Sequence, residues 1–145
     1  MLRVLVPFDG SVCSLRAIHH VIAMKNTLRP VLEVLLINVQ PPIPTLDMMR
    51  DGRPSVVHRL EEPLKEQGTQ ILAAARHALD QAGIENRSFV AIGEAAQLIA
   101  DYAKTYHCEM IVMGTHGLGA IAGLLLGSVA TKVLHLASVP VVLVP

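Results

Sequence analysis

A glycine-rich segment near the end of the chain has the residue spacing that most clearly indicates binding chemistry. It runs from Gly114 to Ser128 and holds five glycines within fourteen residues, with no Asp, Glu, Lys or Arg. Glycine lets the backbone approach a ligand closely. The pair Gly127-Ser128 stands where a helix is predicted to begin, and the first amides of a helix favour an anion. We therefore predict that bare amides of this segment, with the Ser128 hydroxyl, converge on a phosphate.

The common motifs for phosphate binding and nucleophilic catalysis do not fit this segment. A P-loop needs a lysine before its Ser or Thr, and Gly127-Ser128 has none. A dinucleotide fingerprint reads GxGxxG in the first strand-helix turn, whereas Gly117, Gly119 and Gly123 give GxGxxxG in the last one. No GxSxG nucleophile elbow is present. The alternative that the glycines only permit turns and close helix packing stays open.

A second group of candidate residues follows the first two predicted strands. Asp9 comes directly after the opening apolar run, and Val39 and Gln40 end the next. In a parallel sheet, ligands bind at the carboxyl ends of the strands near the switch in winding direction. We therefore expect Asp9, Val39 and the glycine-rich segment to meet there. Asp9 could equally shape the turn at Gly10-Ser11 or cap the first helix.

The composition excludes several classes of function. The chain has 145 residues, 52% of them hydrophobic, and 12 basic residues balance 12 acidic ones. A neutral chain exerts no general attraction on nucleic acid or anionic lipid. With 3% aromatic residues it cannot build a base-stacking platform. Two cysteines without a CxxC, and seven scattered histidines without HExxH, argue against disulfides and metal catalysis. The lack of a signal peptide predicts a cytoplasmic protein with no membrane partner.

Apolar runs alternate with helical periodicity along the whole chain. The length fits one domain, residues 1–145. Residues 40–56, rich in proline and polar side chains, are predicted to form a long surface loop. The uncharged stretch at 110–131 is long enough to span a membrane, but its glycines favour a strand, a loop and a helix start. Strands are predicted at Leu2–Pro7, Val31–Val39, Arg87–Ile92, Met110–Met113 and Val139–Val144, and helices at 11–26, 58–82, 95–106 and 129–137.

Five apolar strands alternating with four helices predict an α/β domain with a parallel sheet. The strands are almost continuously apolar because helices cover both faces of such a sheet. Right-handed crossovers then limit the topology to a doubly wound, Rossmann-like arrangement.

The spacing Gly-x2-Gly-x9-Gly-Ser, formed by Gly114, Gly117, Gly127 and Ser128, resembles the ATP-binding signature of the universal stress protein family. The resemblance extends over the whole chain. It includes the opening VPFDGS, then INVQPP at 37–42, IVMGTHG at 111–117, and the closing stretch from Leu124 to Pro145. It implies a five-stranded sheet of order 3-2-1-4-5 that binds an adenine nucleotide.

The resemblance also implies roles for individual positions. Asp9 and the backbone at Val39 are expected near adenine and ribose, and Met113, Gly114 and Gly117 beside ribose and phosphate. Gly127, Ser128 and Val129 are expected to hold the phosphates. His116 could contact a phosphate or simply be solvated. The full set of expected contact residues is Pro7, Asp9, Val39, Met113, Gly114, His116, Gly117, Gly127, Ser128 and Val129.

One departure from the family pattern affects the expected cofactor. Many relatives carry a basic residue between the second and third glycines of the signature, but residues 118–126 contain none. A bound triphosphate would have to be met by backbone amides, Ser128, Lys132 and a divalent ion such as Mg²⁺. The expected ligand is therefore ATP with Mg²⁺, with AMP and ADP as competitors.

The closing apolar strand, Val139–Val144, would lie at the edge of the sheet, where unpaired backbone groups invite another chain. Relatives pair this strand with its own copy, which implies a two-fold homodimer. The leading hypothesis is a regulatory stress protein in which nucleotide occupancy changes the dimer or the choice of a client protein. The alternatives are a slow ATPase of the same fold and a scaffold that binds no nucleotide.

Overall fold

The computed structural model describes residues 1–28, 31–44, 52–119 and 121–145. Within these ranges five strands alternate with four helices whose first and last residues are both described. In chain order they are β1 (Leu2–Pro7), α1 (Val12–Leu28), β2 (Leu32–Gln40), α2 (Pro54–Gln81), β3 (Glu85–Ile92), α3 (Ala95–Thr105), β4 (Met110–Gly114), α4 (Ser128–Leu136) and β5 (Val141–Val144).

The strands form one parallel sheet in the order β3-β2-β1-β4-β5, which confirms the predicted fold class. The chain moves outward from β1 to β3 on one side, then returns and continues from β4 to β5 on the other. Winding direction therefore reverses between β1 and β4, and a crevice forms outside the carboxyl ends of such strands.

Two helical layers cover the sheet. Helices α1 and α2 pack on one face through residues such as Ile18 and Leu72. Helices α3 and α4 pack on the other through residues such as Ile99 and Val133. Side chains of the central strands are fully buried on both faces, which explains why these strands are apolar without alternation.

Several predicted strand ends are wrong by one or two residues. β5 was predicted from Val139 but begins at Val141, since Pro140 has no N–H and contributes only its carbonyl, which accepts from Ile111 N at 2.9 Å. β3 begins at Glu85 rather than Arg87, because its polar first residues already pair with β2. β2 is shifted by one residue from the predicted 31–39.

The predicted surface loop at 40–56 is shorter than expected where it can be followed. Gln40 is the last residue of β2, and Pro54 begins α2, a position where the missing N–H of proline costs nothing. Residues 45–51 of the predicted loop lie outside the described part of the chain. Gly83 follows α2 with φ of 63°, the left-handed conformation predicted for a residue that ends a helix.

One charged side chain is buried in the sheet, at the end away from the crevice. Glu33 on β2 accepts from Arg3 at 2.6 Å and from Arg87 at 2.9 Å. Burial alone would raise the pKa of Glu33, but hydrogen bonds and charge attraction from the two arginines lower it below the ordinary value. The three residues join β1, β2 and β3 at their amino ends.

The uncharged stretch at 110–131 folds as predicted from its glycines. It contains β4, the glycine-rich segment and the start of α4. Across the described ranges, none of the helices combines the length and apolarity needed to cross a membrane.

Candidate functional site

A cavity of about 310 Å³ lies at the carboxyl ends of β1, β2 and β4 and beneath the start of α4. Its size is near the lower end of the range for small-molecule sites, roughly 300–1,000 Å³. All ten contact residues predicted from the sequence line it. They are Pro7, Asp9, Val39, Met113, Gly114, His116, Gly117, Gly127, Ser128 and Val129.

One end of the cavity is apolar. Ile37 and Met113 are buried side chains near the carboxyl ends of β2 and β4, and Val39 and Ile99 pack in the same cluster and complete the wall. Ligand sites typically combine such an apolar wall with a few convergent polar groups. This end can therefore contact a flat, apolar ring.

The start of α4 supplies donors to the cavity. The N-cap residue is Gly127, which has no side chain that could accept from the first amides of the helix. The first intrahelical bond runs from Thr131 N to Gly127 O at 3.1 Å. The amides of Ser128, Val129 and Ala130 precede that bond, so helix geometry gives them no intrahelical acceptor. All three residues line the cavity, and they present N–H groups at the positive end of a helix dipole.

The starts of α1 and α3 differ, because side chains already accept from one or two of their first amides. Ser11 Oγ accepts from Ser14 N at 3.2 Å. The Glu94 carboxylate accepts from Ala96 N and Gln97 N. Neither helix therefore offers the set of donors that α4 presents.

The amides within the glycine-rich segment are less available than predicted. Leu118 N donates to Asp9 Oδ2 at 2.9 Å, and Gly127 N donates to Thr115 O at 2.7 Å. The expectation that the glycines leave a common set of bare amides is wrong at these two positions. The first turn of α4 supplies the cavity with three donors that have no such partner.

Asp9 connects the turn after β1 to the glycine-rich segment. Its Oδ1 accepts from Ser11 N and its Oδ2 from Leu118 N, each at 2.9 Å. Burial alone would raise the pKa of Asp9, but hydrogen bonds from Ser11 and Leu118 outweigh it and lower the pKa below the ordinary value. Asp9 therefore shapes the turn and lies in the crevice, and its expected contact with a ligand stays a prediction.

His116 is not the solvated loop residue that the sequence allowed. Its Nδ1 lies 3.0 Å from Thr115 Oγ1, and its Nε2 is hydrogen-bonded to the carbonyl of Leu124. The ring therefore fastens the far part of the glycine-rich segment to the end of β4. Its second predicted role, contact with a phosphate, stays a prediction.

Two glycines are required by the protein's own packing. A Cβ at Gly114 would lie 2.7 Å from Cys13 Cβ, so side chains are excluded where α1 crosses β4. A Cβ at Gly117 would lie 2.5 Å from Asp9 Oδ2. The packing explanation left open by the sequence therefore accounts for these positions, and the case for an anion depends on α4.

Sequence reasoning missed several lining residues. Ile99 enters the cavity from the first turns of α3, and no motif marks it. Leu118 lies in the part of the signature where any residue type is allowed, so the motif does not identify it. Its backbone amide, and not its side chain, contacts Asp9. Ser11 and Ser14 were identifiable only as part of a helix cap.

The lining residues do not fit a Mg²⁺ site held by the protein. Within the described ranges no cluster of three or more His, Cys, Asp or Glu side chains is arranged for a metal ion. Among the described lining residues Asp9 is the one carboxylate, and both of its oxygens already accept amides. A Mg²⁺ ion would need ligands from a bound nucleotide, so no step is assigned to it.

A doubly wound parallel sheet with a cavity at its switch point defines the class of α/β domains that bind ligands at the carboxyl ends of their strands. Residues 1–145 match the universal stress protein family, and the chain belongs to that family.

Individual proteins of the same family are similar to this chain over nearly its whole length. The chain is 30% identical over 142 residues to universal stress protein MJ0531 of Methanocaldococcus jannaschii, covering 98% of this chain and 81% of that one. It is 27% identical over 146 residues to YxiE of Bacillus subtilis, covering 98% and 97%.

Solved structures share the fold. Protein MJ0577 aligns with a TM-score of 0.83 at 24% identity, covering 99% of this chain and 94% of that one. A universal stress protein in complex with cAMP aligns with a TM-score of 0.70 at 25% identity, covering 99% and 97%. A family member from Arabidopsis thaliana with AMP bound has a TM-score of 0.69 at 17% identity, covering 99% and 91%.

Proposed function

We propose that this chain is a regulatory member of its family that binds an adenine nucleotide in the cavity beneath α4. ATP, AMP and ADP all belong to the proposed ligand class. Occupancy of the cavity, rather than turnover, is the proposed output, because occupancy can change the surface presented to a second copy or to a client protein.

The observation that carries this proposal is the pairing of two chemically different ends in one cavity. An apolar wall around Val39 and Met113 suits a purine ring, and the exposed donors at Ser128 and Val129 suit a phosphate. The cAMP-bound relative supports an adenine nucleotide as the ligand, because its fold matches over nearly the whole chain.

Ser128 allows a direct test of the amide donors. Proline at the first position of a helix removes one N–H and keeps a helical φ. Gly127 before it has ψ of 165°, an extended conformation compatible with a following proline. Ser128→Pro therefore deletes the amide donor and the hydroxyl, whereas Ser128→Ala deletes only the hydroxyl.

We expect AMP, ADP or ATP to bind the wild-type protein in titration calorimetry, and nucleotide to co-purify with it. Ser128→Pro should weaken binding at least about tenfold, since a donor to a charged group contributes roughly 1.5–3 kcal/mol. Ser128→Ala should lose less. Equal affinity in the wild type and in a folded Ser128→Pro variant would refute the phosphate position, and no binding of any adenine nucleotide would leave the scaffold alternative. Phosphate release above background would favour the ATPase.

We propose in addition that two copies associate through β5. The sheet order leaves one side of β5 without a neighbouring strand among the described residues. The carbonyls of Pro140 and Val144 accept from β4, so backbone groups of the alternate residues Val141 and Leu143 point to the open edge. An apolar edge of this kind can pair with its own copy about a two-fold axis.

A further inference from the structure

We infer that the cavity selects adenosine carrying a single phosphate group over ATP. This inference rests on the proposed function and makes it more specific. It follows from the charges that line the cavity, the number of donors at the start of α4, and the position of Lys132.

No lysine or arginine is among the described residues that line the cavity. The one carboxylate there, Asp9, is held ionised by its hydrogen bonds, since its pKa is lowered. A ligand with several phosphates would therefore enter a cavity whose fixed charge is negative. Because like charges repel more strongly where water is partly excluded, each added phosphate increases the unfavourable term.

The start of α4 supplies donors for about one phosphate. The free amides of Ser128, Val129 and Ala130 share the roughly half-unit positive charge of a helix start. Two amides of the glycine-rich segment, Leu118 N and Gly127 N, are already used by Asp9 and by Thr115 O. The β- and γ-phosphates of ATP would depend on the remaining amides of that segment, such as those of Gly117 and Gly119, with no lysine or arginine among the described lining residues.

Lys132 does not change this balance. It lies on α4 one turn beyond Ser128, but its side chain is 62% exposed and is not part of the lining. Its Nζ is 3.8 Å from Glu94 Oε1, so a neighbouring carboxylate partly offsets its charge. In water an exposed cation of this kind contributes little attraction.

Adding one cation to the cavity should reduce the preference for AMP over ATP. Ile121 lines the cavity and is 69% exposed, so Ile121→Lys places an ammonium beside it without removing a core residue. Two matched controls are available. Ile121→Gln changes the same position without charge, and Leu125→Lys adds charge at a residue that is 90% exposed and outside the lining.

The test is titration calorimetry of each folded protein with AMP, ADP and ATP, without and with Mg²⁺. The wild type should bind AMP at least about tenfold more tightly than Mg²⁺-free ATP, with ADP between them, and Ile121→Lys should improve ATP binding more than AMP binding. Both controls should keep the wild-type order.

Two results would overturn the inference, and only the second of them also overturns the proposed function. Wild-type protein that binds ATP as tightly as AMP, or more tightly, refutes the selectivity and leaves nucleotide binding intact. Protein that binds none of the three at millimolar concentration refutes the proposed function and this inference with it.

Discussion

Asp9 shows how one side chain can organise both sides of the crevice. Its two oxygens accept amides from residues 107 positions apart in sequence, Ser11 and Leu118. Only an ionised carboxylate offers acceptors to both at once. Asp9 therefore fixes the glycine-rich segment over the cavity whatever its contact with a ligand.

Asp9→Asn should lower the free energy of unfolding at pH 7 by about 1–2 kcal/mol. The asparagine side chain has one oxygen and one NH₂ group, so the NH₂ group would face either Ser11 N–H or Leu118 N–H, and that hydrogen bond would be lost. The effect should depend on pH. The pKa of Asp9 is lower in the folded than in the unfolded protein. Its stabilisation is therefore fully present above the pKa of the unfolded state, about 3.9, and is lost as the pH falls through the pKa of the folded state.

Urea unfolding between pH 7 and pH 2.5 checks this prediction. The wild type should lose more stability than Asp9→Asn below about pH 4, so that the two curves converge. Glu33 also has a lowered pKa, but it is present in both proteins and cancels in the difference. Parallel curves would show that ionisation of Asp9 contributes nothing to the stability of the fold.

At the scale of elements, the close approach of α2 to the sheet depends on Gly68. A Cβ there would lie 2.5 Å from Val90 Cγ1 and 2.8 Å from Asn38 Oδ1. Neither neighbour can yield easily, because Val90 is β-branched and Asn38 is held between Phe8 O and Gln40 Nε2.

Helix propensity alone predicts that Gly68→Ala stabilises α2 by about 1 kcal/mol. We expect the opposite, a net loss of about 1–2 kcal/mol, because overpacking outweighs propensity. Gln67→Ala, at an exposed neighbouring position, should change stability by less than about 0.5 kcal/mol. Thermal unfolding of the two variants compares them, and a stabilised Gly68→Ala would contradict the packing.

The sequence predicts these elements well, but it predicts poorly the contacts between residues that are distant in sequence. Strand and helix centres follow from apolar periodicity, and the sheet order follows from the family resemblance. The ends of β3 and β5 could not be predicted, because they depend on pairing with a neighbour. The bond from His116 to the Leu124 carbonyl was also unpredictable, since it requires the path of a loop without periodicity.

The same limit applies to the site. Ten of its lining residues were predicted from the family resemblance, and they line one cavity because β1, β2 and β4 end together. Which amides stay free could not be predicted, because the partners of Leu118 N and Gly127 N come from tertiary contacts.

At the scale of the whole molecule, the open side of β5 predicts the oligomeric state. We expect a dimer by light scattering at micromolar concentration. Val141→Pro removes an N–H that points to the open edge and leaves the bonds from β4 to Pro140 and Val144 in place, so it should shift the protein toward monomer. Val141→Ala keeps that N–H and should remain dimeric. A monomeric wild type, or a dimeric Val141→Pro, would contradict association through β5.

Three backbone amides at the start of α4 are the proposed phosphate donors, and amide NMR reports on them directly. Titrating AMP into ¹⁵N-labelled protein should shift the Ser128, Val129 and Ala130 resonances with one saturating curve, as expected for N–H groups that bind a phosphate. Adenosine, which lacks the phosphate, should shift resonances near Val39 and Met113 but move those three much less. AMP that leaves the three amides unmoved while shifting others would show that the nucleotide binds elsewhere.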